Sequence, residues 1–363
     1  MSKAAELAAL IGSQSSLSSP NMIINGDMVV AQRGTSTAGI TSCGTTYYTC
    51  DRWGVCEGAD ATITIAQSTV APEGFKNSFK LDTTTADASL ASTQYASMFQ
   101  KFEGFNLQQL KWGTSNAKPV TLSFYVKSNK TGTYVVNLTA ADATNKYQSQ
   151  TYTIDSADTW EKKTITYIGE TTTAIPNDNT DSMTLEWGLA SGTGYTSGGA
   201  TGSAWSSSTT KYFGGLNVNI LDHTDNEFLL TGVQLEVGEV ATPYKHESYG
   251  DNLARCQRYY QKWLADSTND SFGAGHFWND TSYIAEYHLQ NTMRSPPALT
   301  FDGTFVFSST GNDRSTSSNV VNRATKEQVQ IAGNVPDNDE IGKPGFFRAG
   351  SDADAFIEFS AEL

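Results

Sequence analysis

Residues 120–128 read VTLSFYVKS, and larger apolar side chains alternate with Thr, Ser, Tyr and Lys along this run. Leu122, Phe124 and Val126 occupy every second position, so an extended chain places all three on one face. A period of two is typical of a strand with one buried face and does not fit the 3.6-residue period of a helix. The run therefore predicts a strand that contributes to a hydrophobic core.

The same alternation recurs on both sides of this run. About twelve such runs fall between residues 20 and 240, and Gly, Ser, Thr and Asn supply turns between them. No long helical pattern interrupts them, which favours an all-β fold, an antiparallel jelly-roll β-sandwich. The other main strands are predicted at 61–67 (ATITIAQ), 133–140 (TYVVNLTA), 162–169 (KKTITYIG), 182–189 (SMTLEWGL), 215–220 (GLNVNI) and 230–238 (LTGVQLEVG).

The first residues differ from the strand-rich region that follows. Residues 1–19 contain Glu6 and lack the long apolar run of a signal peptide. Their apolar side chains recur at helical spacing, which predicts a short N-terminal helix. This stripe consists of Leu7, Leu10 and Ile11.

Beyond the first strand-rich region, the sequence predicts a linker helix and a second β-region. We expect the sandwich to span residues 20–246, a helix linker 247–263, and a smaller C-terminal β-domain 264–363. In DNLARCQRYYQKW, Asp251 is the expected cap, and apolar side chains follow at steps of three and four. These side chains are Leu253, Cys256, Tyr260 and Trp263. Residues 308–322 are polar and predict an exposed loop.

Composition excludes several classes of partner. The 363 residues carry a formal net charge of -14, and an acidic surface repels nucleic-acid phosphates. No apolar run approaches the roughly 20 residues that span a bilayer, so no membrane insertion is expected.

Four cysteines leave two interpretations open. Cys43, Cys50 and Cys56 are too widely spaced for a zinc knuckle, and Cys256 lies far from them. A disulfide among the first three would fit an extracellular setting, whereas free thiols are the ordinary state in a reducing cytoplasm. Free thiols are the interpretation we favour.

The search for catalytic chemistry points away from an enzyme. The sequence holds no HExxH, GxSxG or P-loop motif, and its histidines lack metal-pair spacing. The Gly/Ser/Thr-rich segment 190–210 predicts a long surface loop. Tyr195 and Trp205 in that loop are the candidate ligand-binding residues, because flat aromatic faces stack on sugar rings.

Four stretches together carry a family resemblance: NMIINGDM (21–28), AQRGTS (31–36), YTCDRW (48–53) and FLLTGVQLEVGEVATPYKHESYGDNLARCQRYYQK (228–262). This pattern resembles phage virion proteins, chiefly tail fibres and related appendage proteins. Its first half is also similar to the jelly-roll sandwiches of carbohydrate-binding modules. The resemblance covers roughly residues 20–263 and does not identify a ligand.

The resemblance gives the opening motif a structural role. It implies that Asn25 and Gly26 form the turn into the first strand, and that Asp27 braces this turn or supplies a ligand to a structural Ca²⁺. The remaining motif residues, Arg33, Asp51, Arg52 and Trp53, are expected to join the N-terminal segment to the sandwich. The three charged residues would form a cluster and the tryptophan would pack inside.

The resemblance also implies a function. We expect a homotrimeric virion appendage that lies on the phage particle, contacts other virion proteins through residues 1–19 and binds host-surface glycans without catalysis. Two alternatives are a structural capsid decoration, head fibre or tail adaptor, and a surface-polysaccharide depolymerase. The depolymerase would need two carboxylates that face one sugar across a cleft.

Overall fold

The computed structural model describes residues 21–44, 46–143, 146–336 and 340–363. The helix expected over residues 1–19 lies outside these ranges. The chain divides into two compact units, one that ends at Asn252 and also takes in Leu363, and one that runs from Leu253 to Glu362. Antiparallel strands dominate both units, which confirms the all-β prediction. Among the described residues, no helix has the length and apolar character of a membrane span.

Twelve strands of the described chain build the first unit. Their bounds are β1 Ser36–Ile40, β2 Thr46–Tyr47, β3 Gly54–Glu57, β4 Thr62–Ser68, β5 Ser78–Thr85, β6 Tyr95–Glu103, β7 Val120–Ser128, β8 Gly132–Ala140, β9 Lys146–Ile154, β10 Glu161–Tyr167, β11 Asp181–Ser191 and β12 Glu227–Val237. The first sheet has the order β1-β4-β5-β12-β7-β10 and the second sheet β2-β3-β6-β11-β8-β9. Strands β5 to β8, and again β9 to β12, alternate between the two sheets, as in a jelly roll.

The alternating runs place their apolar faces between these sheets. Leu122, Phe124 and Val126 of β7 are fully buried, as the period of two predicts. They share one core with Trp53 and Trp187, whose rings lie 5.5 Å apart. Six-stranded sheets on both sides of this core make the sandwich.

The predicted strand 215–220 is wrong. Its alternating apolar side chains are buried, but this segment forms no ladder and leads into a 3₁₀ turn, Ile220–Asp222. The side chain of Asn219 starts that turn, because it accepts a hydrogen bond of 2.9 Å from the backbone N–H of Leu221. Local capping therefore outweighs the alternating pattern here.

The second unit contains ten strands among its described residues. They are β13 Tyr260–Leu264, β14 Ser271–Asn279, β15 Ser282–His288, β16 Ala298–Asp302, β17 Phe305–Ser309, β18 Asn312–Ser315, β19 Ser317–Ala324, β20 Gln328–Asn334, β21 Pro344–Ala349 and β22 Phe356–Ser360. Three form the sheet β13-β22-β16 and seven form the sheet β18-β17-β21-β14-β15-β20-β19. The predicted exposed loop 308–322 is instead mostly strand. Strands β18 and β19 are the two edges of the larger sheet, so polar residues suit them.

Two α-helices lie in the described chain, α1 Thr193–Thr196 and α2 Tyr249–Gln257. The linker helix predicted to reach residue 263 is therefore too long, because β13 begins at Tyr260 and pairs with β22. Tyr260 and Trp263 lie at helical spacing in the sequence but belong to strand β13. The cap also differs from the prediction, because the Ser248 hydroxyl accepts a 3.2 Å hydrogen bond from the Asp251 backbone N–H and donates one of 2.7 Å to its carboxylate.

Candidate functional site

Asn25 organises the opening motif through its side chain. Its amide accepts a 3.0 Å hydrogen bond from the Val30 backbone N–H, and it donates to the carbonyls of Val30 at 2.8 Å and Asp51 at 3.0 Å. Its φ of 58° lies in the left-handed region, which asparagine tolerates better than most residues. The turn does not lead directly into a strand, because β1 begins only at Ser36. Asn25 instead joins two loops.

Gly26 and Asp27 continue this turn in a crowded environment. A Cβ atom on Gly26 would lie 2.2 Å from the carbonyl oxygen of Val233, so this position requires glycine. Asp27 accepts a 3.2 Å hydrogen bond from the Asn252 amide, and burial raises the pKa of its carboxyl. Ca²⁺ takes six to eight oxygen ligands. The described residues contain no group of three acidic, His or Cys side chains placed to hold a metal, so the calcium role of Asp27 stays a prediction.

Asp51 connects the two halves of the motif. Its carboxylate accepts hydrogen bonds from the backbone N–H of Gln32 at 3.0 Å and from the Gln32 side chain. The Arg33 guanidinium lies 3.9 Å from the same carboxylate. Asp51 is fully buried, and these donors offset the cost of burying its charge.

Arg52 and Trp53 point to different parts of the sandwich. Arg52 donates a 2.7 Å hydrogen bond to the carbonyl of Lys101 on β6, and its guanidinium lies 5.8 Å from the Tyr47 ring centroid. Trp53 is fully buried, and its indole N–H donates to the carbonyl of Asn25 at 2.9 Å. Both residues make structural contacts within the first unit.

The segment 190–210 folds back on the second sheet. Thr201 exchanges hydrogen bonds of 2.9 and 3.1 Å with Ser149 of β9, and Ser206 pairs with Tyr147. Tyr195 is half-buried against Tyr95, with ring centroids 5.2 Å apart. The segment therefore covers part of the sheet face that points away from the core.

Trp205, the second candidate from the sequence, is also half-buried. Its ring lies 5.3 Å from that of Trp112, and its indole N–H donates to the carbonyl of Ile168 at 3.1 Å. Both candidates pack on the sandwich, although the sequence placed them in an exposed loop. Neither lines the cavity described next.

A cavity of about 270 Å³ remains open on the outward face of the second sheet. Strands β6, β8 and β11 form its floor, and Tyr212 and the segment around Cys43 form its sides. The lining combines aromatic rings with hydroxyl, carboxylate and ammonium groups. The side chains used below are Tyr95, Phe99, Lys101, Asp181, Glu186 and Tyr212.

Glu186 is the most buried carboxylate of the cavity lining and leaves 5% of its surface exposed. It accepts hydrogen bonds from the hydroxyls of Ser97, at 2.5 Å, and Tyr212. Burial raises the pKa of Glu186, and these two donors and Lys101 partly oppose that shift. The carboxylate is thus held in one orientation before any ligand binds.

An ion pair also lies on the floor of the cavity. Lys101 Nζ lies 3.3 Å from a carboxylate oxygen of Asp181, and it lies 6.0 Å from the centroid of the Phe99 ring. Burial raises the pKa of Asp181, and Lys101 opposes this shift. The cavity therefore offers fixed donors and acceptors next to aromatic surface.

Phe99 owes its position to a neighbouring glycine. Gly54 of β3 is the register partner of Phe99, and a Cβ there would lie 2.3 Å from the Phe99 ring. The lack of a side chain at Gly54 therefore leaves room for the Phe99 ring, which makes an edge-to-face contact with Tyr47 at a centroid distance of 5.9 Å. Phe99 placed in this way lines the cavity.

A disulfide borders the cavity. Cys43 and Cys56 are bonded to each other, whereas Cys50 and Cys256 are buried and form no disulfide. The interpretation of four free thiols is therefore wrong for the first pair. Burial raises the pKa of the Cys50 thiol, so it is an unreactive core residue.

Sequence reasoning missed most of this cavity. Its residues lie at the polar positions of β6 and β11, where alternation indicates only a solvent-facing side. A usable signal was present: YASMFQKF places Tyr95, Phe99 and Lys101 on the face opposite the core. Large aromatic residues on an outward face would have marked it for attention.

The comparisons with known proteins found solved structures that resemble this chain with low sequence identity and low TM-scores. No protein-family model and no curated protein matches the sequence. A putative sugar binding protein from Bacteroides thetaiotaomicron is 12% identical, with a TM-score of 0.35, over 60% of this chain and 100% of that chain. The Clostridium thermocellum family 11 carbohydrate-binding module in complex with a mixed-linked tetrasaccharide is 11% identical, with a TM-score of 0.28, over 57% and 98%.

A third likeness is to the enzymatically active domain of tailspike protein 4 from bacteriophage CBA120. The identity is 11% and the TM-score 0.31, and the match covers 60% of this chain but only 21% of that chain. Similarities at this level assign the present chain neither a family nor a ligand.

Proposed function

We propose that this protein is a phage virion appendage that binds host-surface glycans through the cavity on its second sheet, without catalysing a reaction. The observation that carries the glycan part is the combination of aromatic rings and fixed polar groups in one cavity. Its volume of about 270 Å³ suits one or a few sugar units.

The cavity meets the two chemical needs of a sugar ligand. Tyr95 and Phe99 supply apolar faces against which the C–H side of a pyranose packs. Glu186 and Asp181 accept hydrogen bonds from hydroxyls, and Lys101 donates them. Because neighbouring groups already hold these side chains, little conformational entropy is lost on binding.

The arrangement of the carboxylates favours binding over hydrolysis. A glycosidase needs two carboxyl groups that act on one sugar, one of them by transferring a proton. Each carboxylate also has its own partner, Lys101 for one and Tyr212 for the other.

The virion part of the proposal rests on the sequence resemblance. In this proposal the protein is a homotrimer on the surface of the particle, and residues 1–19 attach it to other virion proteins. The proposal does not depend on a structural calcium ion at Asp27.

The test is adsorption of the purified full chain to host cells, in competition with phage, together with calorimetry against isolated host-surface polysaccharide. Tyr95→Ala and Glu186→Gln should each weaken binding by about tenfold or more. Tyr125→Ala is the matched control, because Tyr125 is a half-buried tyrosine that packs against Phe75 on the first sheet. It should bind like the wild type.

Three outcomes separate the proposal from its alternatives. Binding that survives both cavity variants removes the cavity from the function. If the wild-type chain does not bind and locates to a capsid surface or an internal joint, the role is structural. Release of reducing sugar from the polysaccharide, lost in Glu186→Gln, would identify a depolymerase.

A further inference from the structure

The outward face of the large sheet in the second unit carries two widely exposed aromatic rings. Trp278 of β14 leaves 62% of its surface exposed, and Phe346 of β21 leaves 55%. Both side chains lie opposite the core, because their neighbours Phe277 and Phe347 are fully buried. Strands β14 and β21 are paired, so the rings share one surface.

A row of polar side chains continues from Phe346 across this face. The register runs from Phe346 to Ala274, then to Glu286 and then to Gln330, on four neighbouring strands. Strands lie about 4.8 Å apart, so this row is roughly 14 Å long. Ala274, which lies between Phe346 and Glu286 in this row, has a short side chain.

Hydrogen bonds hold the polar end of this row. Gln330 donates to Glu286 at 3.1 Å, and Gln328 donates to the other oxygen of Glu286 at 3.4 Å. The Asn322 side chain donates to the side-chain amide oxygen of Gln330 at 2.5 Å. A carboxylate has about four acceptor positions, so Glu286 can still accept from ligand hydroxyls.

We infer that this face, bounded by Trp278, Phe346 and Glu286, is a second saccharide site that takes a linear neutral oligosaccharide. Trp278 lies four residues along β14 from Ala274, the register partner of Phe346, so at about 3.4 Å per residue the Cα atoms of the two ring-bearing residues are roughly 14 Å apart. They therefore contact different sugar units of one chain. Glu286 and the fixed amides lie on the next two strands, beside Ala274, and supply hydrogen bonds to hydroxyl groups of the sugar unit nearest Phe346.

The chemistry of the face favours a saccharide over a protein partner. Protein interfaces are depleted of Glu at their centre, whereas here a hydrogen-bonded Glu286 lies beside the ring-bearing strands. A net charge of -14 and an exposed carboxylate also disfavour an acidic glycan. The inference is independent of the cavity in the first unit.

The experiment uses the full chain carrying Tyr95→Ala, which removes the proposed cavity site. Linear hexasaccharides of glucose, xylose, mannose and N-acetylglucosamine are titrated by calorimetry and by tryptophan fluorescence. We expect at least one of them to bind, and Trp278→Ala and Phe346→Ala each to weaken that binding about tenfold. Glu286→Gln should weaken it less. Val320→Ala is the matched control, because Val320 is 54% exposed on the same face at the β19 edge.

Two results would overturn the inference. One is no binding by any hexasaccharide, or binding unchanged in both ring variants. The other is concentration-dependent self-association of the wild type in sedimentation equilibrium that Trp278→Ala abolishes, which would assign the face to a second copy of the chain. Loss of host-cell binding in Tyr95→Ala alone concerns the cavity and leaves this site unaffected.

Discussion

Replacement of Asn25 tests whether the opening motif is structural. Its side chain makes three buried hydrogen bonds, two with Val30 and one with Asp51, and its backbone is left-handed at a φ of 58°. Asn25→Ala removes all three bonds and leaves the alanine in the left-handed region, where no side-chain hydrogen bonds offset the backbone strain. Asn25→Gly removes the same bonds but relieves the backbone.

The expected loss follows from these contacts. Each buried hydrogen bond contributes about 1 kcal/mol net, and its orphaned backbone partners make the loss no smaller, so Asn25→Gly should cost about 3 kcal/mol. Alanine in the left-handed region should add about 1 kcal/mol. The free energy of unfolding should therefore fall in the order wild type, Asn25→Gly, Asn25→Ala.

Urea unfolding of the full chain measures these differences. The two units can unfold separately, and the transition of the larger first unit is recognised by its larger m-value. The midpoint should shift while m stays constant. The reasoning is refuted if Asn25→Ala unfolds within about 0.5 kcal/mol of the wild type, or if the glycine variant is the less stable of the two.

Three further predictions concern the region of the cavity. Burial raises the pKa of Glu57 from 4.5 to about 7, so between these pH values the folded state holds a proton that the unfolded state releases. The free energy of unfolding should therefore fall as pH rises from about 4.5 through 7. Glu57→Gln should flatten that slope in urea midpoints measured across this range. The Cys43–Cys56 disulfide joins residues 13 positions apart, and its reduction should lower the free energy of unfolding by about 3 kcal/mol. Unfolding experiments with and without dithiothreitol measure this loss. A Cys43→Ser, Cys56→Ser double variant that still responds to the reductant would contradict the prediction. Gly54→Val should lower the free energy of unfolding by about 1–3 kcal/mol, because the new side chain meets the Phe99 ring. Phe99→Ala in the same chain should recover part of that loss. Additive losses in the double variant would argue against the contact.

The fold was predictable where one periodic pattern acted alone. Strand β7 begins and ends where the alternation of residues 120–128 does, because its apolar face meets the core without a competing local interaction. The pattern failed where local hydrogen bonds decided the conformation. Asn219 caps a 3₁₀ turn inside an alternating run, and Ser248 starts the linker helix ahead of the expected Asp251. Such caps involve one or two side chains, so averaging over a window of sequence hides them.

The outward aromatic residues of β6 were a signal for the candidate cavity, but the enclosure of the neighbouring sheet face by the segment 190–210 was not predictable. Its composition indicates an exposed loop, yet tertiary hydrogen bonds to Ser149 lay it on the outward face of the second sheet. The covered polar side chains then become buried, and Asn137 and Ser149 are fully enclosed although they point away from the core. A sheet face that encloses polar groups and remains open beside Glu186 is costly to build for packing alone, since apolar residues would fill it more stably. That cost is the physical reason to look for a ligand at the cavity, and it depends on long-range contacts that the order of residues along the chain does not reveal.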